Sequence, residues 1–146
     1  MFVAGHSAGG YLTSMIGLDK RWLEPYGIDP DTAFVALIPY SGQVVTHFER
    51  RRELGLPDTQ PLVDDMAPLS YVRPDCRPML ILSGDREREM LGRYEENAYF
   101  WRMMRVAGHP DVRICEFDGF DHGNMPQAGH FVAVRYIREM ERRMDR

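Results

Sequence analysis

The run Gly5-His6-Ser7-Ala8-Gly9-Gly10 constrains this chain more than any other feature. Before it stands Phe2-Val3-Ala4, an apolar stretch that reads as the end of a buried strand. After it stands Tyr11-Leu12-Thr13-Ser14-Met15-Ile16, with apolar residues at helical spacing. A strand that passes into a helix over so few residues must turn sharply and hold the apex residue in a strained backbone. Glycines at 5 and 9 remove Cβ atoms that would clash, and Gly10 lets the helix pack close to the strand. The apex is Ser7. Its hydroxyl is lifted above the sheet as an expected nucleophile. The first helical amides, beginning with the Ala8 N–H, point at the place where an oxyanion would develop.

The rest of the composition narrows the classes. A chain of 146 residues suits one domain with a real core. Its net charge of -4 gives no reason to expect a nucleic-acid partner. The block Arg50-Arg51-Arg52, flanked by Glu49 and Glu53, reads as a solvated helix face. Cys76 and Cys115 are too few for a disulfide framework and are expected as free, half-buried thiols. No apolar run approaches the length of a membrane span, and no signal peptide is visible, which leans toward the cytoplasm. His and Cys lack ligand spacing and no nucleotide loop is present, so neither metal nor cofactor is expected.

Four apolar runs alternate with helical patterns: 2–4, 34–40, 79–83 and 112–117. Three are nearly continuous in apolar character, as parallel strands covered on both faces should be. The fourth, Val112-Arg113-Ile114-Cys115-Glu116-Phe117, alternates and is placed nearer a sheet edge. Helices are expected from Ala8 to about Leu18, from Tyr94 to Val106 with Tyr94, Ala98, Trp101 and Met104 as the apolar stripe, and from about Gln127 to Arg142 with Phe131, Val134 and Ile137 on one face. Gly27 to Asp31 reads as a loop. The Pro-rich stretch 41–78 reads as a lid-like excursion off the sheet, with a short helix around His47–Leu54. Strict alternation of strand and helix predicts an α/β fold with right-handed crossovers and about four parallel strands.

A serine hydroxyl needs a base in hydrogen-bond reach and a carboxylate that orients the base. In an open α/β sheet such groups gather where strands end. The last run ends in Phe117-Asp118-Gly119-Phe120-Asp121-His122-Gly123, which makes His122 the candidate base. His6 is expected to pack beside the turn, and His47, His109 and His130 to be structural or solvated. The third run ends in Leu82-Ser83-Gly84-Asp85-Arg86-Glu87, where Asp85 and Glu87 are both candidates for the acid. An acid beside Arg86 or Arg88 could equally form an exposed ion pair of little worth. The order serine, acid, histidine is the one this arrangement uses on α/β sheets.

These residues resemble the α/β-hydrolase family, and within it the esterases similar to hormone-sensitive lipase, feruloyl-type esterases and kynurenine formamidase. The similarity rests on GHSAGG, on Met66-Ala67-Pro68-Leu69-Ser70-Tyr71-Val72 before a Pro-led strand, on the Gly84 loop and on the His122-Gly123 end. It covers essentially the whole chain as one domain, 1–146, but only the second half of the family's fold. The resemblance implies Ser7 as nucleophile and His122 as base. The family's Gly-x-x-Asp acid falls on Glu87, a departure to glutamate, with Asp85 as the second choice. It also implies four earlier strands and a His-Gly-Gly loop that these residues do not contain. With the Ala8 amide as the one recognisable oxyanion donor, turnover is expected to be slow.

Three classes of function remain open. The first is a serine hydrolase acting on small carboxylic esters through an acyl-enzyme. The second is formamidase or exopeptidase chemistry on the same triad. The third is a non-catalytic remnant of the fold. The first run, left as an apolar sheet edge, is expected to invite pairing with a second copy of the chain.

Overall fold

The four apolar runs form β1 (Phe2–His6), β2 (Ala36–Tyr40), β3 (Met79–Gly84) and β4 (Val112–Phe117) in a computed structural model that describes residues 1–146. They make one sheet in the order β1-β2-β3-β4, every neighbouring pair parallel. β2 and β3 are buried along their whole length, while β1 and β4, at the two edges, are only partly covered. This follows from their sequences: Ala-Leu-Ile-Pro-Tyr and Met-Leu-Ile-Leu-Ser-Gly offer no polar face to water, whereas β4 alternates.

Helices cover both faces. α1 (Ala8–Leu18) and α4 (Arg93–Val106) lie on one side, where Leu18, Leu37, Met79, Ile81, Phe100 and Met104 share a core. α5 (Met125–Met144) lies on the other, burying Met125, Ala133, Tyr136 and Met140 against Ile38, Tyr40, Leu80 and Leu82. Each buried Leu, Ile, Phe or Met among them is worth roughly 1.5–3 kcal/mol relative to exposure. Two short α-helices, α2 (Pro30–Ala33) and α3 (Phe48–Glu53), and three 3₁₀ turns, Lys20–Trp22, Glu24–Tyr26 and Pro68–Tyr71, complete the set. α2 starts inside the stretch expected as a loop, because Asp29 caps it by accepting the Asp31 N–H and Pro30 supplies a preset φ. No helix is long and apolar enough to cross a membrane.

Four local expectations need correction. The buried stripe of α4 is Arg93, Asn97, Phe100 and Met104, with Trp101 packed at its margin. The shift of about one position arises because Arg93 and Asn97 find buried carbonyls to donate to, Ser41 and Gly42 respectively. On α5 the apolar residues Phe131 and Val134 face outward, and the face carrying Gly129, Ala133 and Tyr136 meets the sheet. Small residues let that helix approach closely, which an all-large stripe would prevent. On α3 only Arg50 and Arg52 are solvated, paired with Glu53 and Glu49, while Arg51 is buried and donates to the carbonyls of Asp58 and Gln60. Both cysteines are free; Cys76 is fully buried rather than half-buried, and burial pushes its thiol up to about 12.

Candidate active site

The carboxyl ends of the four strands converge. β1 passes into α1 through Ser7, whose φ of 58° and ψ of -115° place it on the strained side of the backbone map. Two hydrogen bonds hold the turn. The Ser7 N–H donates to the Tyr40 carbonyl at the end of β2 (2.9 Å), and the Ser7 carbonyl accepts from the Tyr11 N–H (3.0 Å). The amides of Ala8, Gly9 and Gly10 precede that first helical bond and so belong to the unpaired end of α1. A Cβ on Gly5 would lie 2.4 Å from the Gly9 carbonyl carbon, and one on Gly10 would lie 2.8 Å from the Tyr40 oxygen. Gly9 differs: nothing stands within 4 Å of the Cβ position there, so the expected steric need for glycine at position 9 does not exist.

His122 arrives from the loop after β4 and meets Ser7 directly, with 2.9 Å between His122 Nε2 and Ser7 Oγ. Its other nitrogen, Nδ1, is 2.9 Å from Glu89 Oε2. These partners fix the neutral ring as the tautomer with its proton on Nδ1: the carboxylate can only accept there, which leaves the Nε2 lone pair to accept from the serine hydroxyl. The arrangement can draw a proton from Ser7 and hold the resulting imidazolium beside a carboxylate.

The carboxylate at His122 is Glu89, and not Glu87 or Asp85. Glu87 points into solvent. Asp85 is occupied elsewhere, with Oδ1 accepting from the Glu87 N–H (2.8 Å) and Oδ2 from the Gly119 N–H (2.7 Å). Those two backbone donors hold its carboxyl below the usual range. Asp85 thereby ties the loop after β3 to the loop that carries His122, a tie completed by its own N–H donating to the Phe120 carbonyl (2.8 Å). The resemblance put the acid three residues past Gly84, at Glu87, by the spacing Gly-x-x-Asp. The chain coils instead: the Arg88 and Glu89 amides both donate to the Asp85 carbonyl, at 2.9 and 2.8 Å, which is one helical turn. That turn carries Glu89 back over Gly84, whose N–H donates to Glu89 Oε1 (3.1 Å), and swings Glu87 outward.

Glu89 is the most heavily engaged acid of the chain, with its side chain 0% exposed. Besides His122 and Gly84 it accepts from the Met90 N–H (3.0 Å) and from the Ser41 hydroxyl. Ser41 follows β2, is fully buried and has a φ of 44°. Its carbonyl accepts from the Arg93 guanidinium, whose Nε is 2.8 Å from Glu96. Glu96 in turn accepts from the amides of Val44 and Val45, at 3.4 and 3.2 Å. A polar chain thus runs from Ser7 through His122, Glu89 and Ser41 to α4 and the start of the excursion. Neither Glu89 nor Ser41 stood out beforehand, since single polar residues in loops carry no pattern until the loops fold. The nearest usable signal was that Ser41 directly follows an apolar strand.

Burial alone would push the Glu89 carboxyl up, but the hydrogen bonds from His122, Ser41 and the Met90 amide outweigh it and hold it at about 2. A carboxyl depressed in the folded state adds stability above its unfolded value, and that stability is lost as pH falls toward the folded value. Between pH ~4.5 and 2 the chain is therefore expected to lose on the order of 3 kcal/mol through this one group. Urea unfolding at pH 7, 4.5, 3 and 2 should show the decline, and Glu89→Gln should flatten it. An unchanged slope in the variant would contradict the assignment, since Glu139, also held at about 2, is common to both proteins.

No protein-family model matches this sequence, and no curated protein matches it. Solved structures do. The chain is similar to esterase 2 of Thermogutta terrifontis phosphoramylated by tabun, with a TM-score of 0.71 and 22% identity over 95% of this chain and 54% of that one. It is similar to the apo form of the same esterase, with a TM-score of 0.70 and 22% identity over 95% and 55% of the two chains. The propionate-bound form gives a TM-score of 0.66 and 19% identity, with the same coverages. The chain spans about half the length of the structures it matches. At this identity the likeness is one of fold: four parallel strands with flanking helices, half of an α/β-hydrolase sheet.

Proposed function

We propose that this chain is a serine hydrolase that cleaves small carboxylic esters. The observation that carries the reading is the unbroken hydrogen-bonded chain from Ser7 Oγ to His122 to Glu89, with both links at 2.9 Å and Ser7 raised on a positive-φ turn. Ser7 Oγ attacks the ester carbonyl as His122 Nε2 takes its proton. The electron pair of the carbonyl moves to its oxygen, which the Ala8 N–H at the start of α1 stabilises. Collapse of the tetrahedral species breaks the ester C–O bond, and His122 returns the proton to the departing alcohol. Water, deprotonated by His122, then attacks the acyl-enzyme and releases the acid and free Ser7. Glu89 holds the tautomer and stabilises the imidazolium in both halves.

The same reading treats residues 1–146 as one domain, residues 41–78 as a lid-like excursion beside the site, and the free edge of β1 as a place where a second copy can pair. The matched Thermogutta esterase is described in forms phosphonylated and phosphorylated by organophosphorus compounds. By analogy, a fluorophosphonate probe should add covalently to Ser7. Intact mass and peptide mapping should place the adduct there, and Ser7→Ala should abolish it. Folded protein that takes no label, or labels equally as Ser7→Ala, removes the reading. Parallel assays on p-nitrophenyl acetate, an N-formyl amine and an aminoacyl anilide separate ester from formamide and peptide chemistry, with the acetate expected to turn over fastest.

A further inference from the structure

One histidine of the turn is not accounted for by the chain from Ser7 to Glu89. His6 closes β1, immediately before Ser7, and its Nε2 is 2.8 Å from the backbone carbonyl oxygen of His122. A carbonyl only accepts, so His6 Nε2 carries the proton and donates it. The two imidazoles lie beside one another with centroids 4.7 Å apart and planes inclined by 37°. The rest of the His122 loop is tied down on its other side: Asp85 holds Gly119 and Phe120, and Asp121 Oδ1 accepts from the amides of Gly123 and Asn124, each at 2.9 Å. At residue 122 itself, the His6 donor is the contact that joins the base's own backbone to the strand that delivers the nucleophile.

We propose that His6 is a positioning residue that sets the distance between His122 and Ser7, by gripping the His122 carbonyl from the end of β1. This rests on the reading of Ser7 and His122 as nucleophile and base. Ser7 is placed by β1, and His122 is placed by a loop of β4, at the opposite edge of the sheet. Two groups delivered by opposite edges need a direct brace, since a misplacement of ~1 Å in a reacting pair costs about 10²-fold in rate. The brace must also tolerate a cation beside it each time His122 takes the serine proton. Burial lowers the His6 pKa, and the neighbouring His122 and Arg93 lower it further against the opposing pull of the hydrogen bond to His122 and of Glu89, so a neutral donor stands there. An arginine or lysine could make the same bond but would repel the imidazolium.

The test uses His6→Phe, which keeps a ring and loses the donor, and His6→Gln, which keeps an N–H at similar reach. Both are checked for native unfolding midpoints. His6→Phe should lower kcat on p-nitrophenyl acetate, and the rate of fluorophosphonate labelling, by about 10–100-fold with KM within about 2-fold. His6→Gln should recover most of that loss. Equal rates in wild type and His6→Phe, or equal losses in both variants, would overturn the proposal. A second readout needs no turnover: the His122 ring signals in NMR should shift in His6→Phe and return toward wild type in His6→Gln. If wild-type Ser7 takes no label, the hydrolase reading fails on that ground alone, and the ring signals still decide whether His6 sets the His122 geometry.

Discussion

Glu89→Gln is expected to lower ester turnover by about 10³–10⁴-fold while Glu87→Gln leaves it within about 2-fold of wild type. Glutamine preserves the size and one acceptor of the side chain but presents an amide to His122 Nδ1. If the amide oxygen faces the ring, the tautomer survives and the imidazolium loses its counter-charge. If the amide nitrogen faces it, the ring is driven to the other tautomer and Nε2 can no longer accept from Ser7. The Ser41 hydroxyl and the Gly84 amide both donate to Glu89 Oε1, against the Met90 amide alone on Oε2, so they favour an oxygen on their side and press the nitrogen toward His122. The larger loss is therefore expected. Stopped-flow labelling with a fluorophosphonate and steady-state hydrolysis of p-nitrophenyl acetate both measure it. Asp85→Asn sharpens the comparison, because Asp85 accepts two backbone N–H groups and never touches the ring. It should act through loop placement and show a lowered unfolding midpoint beside any loss of rate. A wild-type rate in Glu89→Gln, with loss in Glu87→Gln, would return the acid to position 87.

The contrast between Glu87 and Glu89 shows where sequence stops being readable. The sheet was legible because burial on both faces demands continuous apolar runs, and Leu37-Ile38 and Leu80-Ile81-Leu82 have no other use in a chain this size. Ser7 and His122 were legible as a pair because a Gly-flanked turn and a Gly-flanked strand end both announce a strand's carboxyl terminus. The partner of His122 was not, because it depends on how five loop residues coil. A single hydrogen-bonded turn from Asp85 to Glu89 reverses which carboxylate faces inward, and nothing in Asp-Arg-Glu-Arg-Glu distinguishes that turn from an extended loop. The helix faces failed for a related reason. Apolar residues on α5 recur on two sides, and the choice between them is made by the sheet, which takes the side where Gly129 and Ala133 permit close approach. Periodicity finds a helix; it does not say which of two apolar faces its neighbours can accommodate.

Gly5 and Gly9 make the same point in a form that can be measured. The motif treats them as equivalent, but their surroundings do not. A methyl at Gly5 would sit 2.4 Å from both the carbonyl carbon and oxygen of Gly9, which are main-chain atoms of the first turn of α1. Relief requires moving the first turn of α1 away from β1, which strains the Tyr11 N–H bond to the Ser7 carbonyl and disturbs the Leu18 side of the core. Gly5→Ala is therefore expected to destabilise by about 3 kcal/mol or more, at the high end for a single substitution. A methyl at Gly9 meets nothing within 4 Å, and residue 9 lies inside α1, where alanine replaces the least helical ordinary residue. Gly9→Ala is expected to stabilise by up to ~1 kcal/mol. Urea unfolding of the two variants measures both effects, and they should have opposite signs. If both variants lose stability equally, the turn at Ser7 is closed from both sides and Gly9 has no room for a methyl group. If Gly5→Ala is tolerated, α1 is not wedged against β1, and the strain on Ser7 that the turn supplies must come from another source.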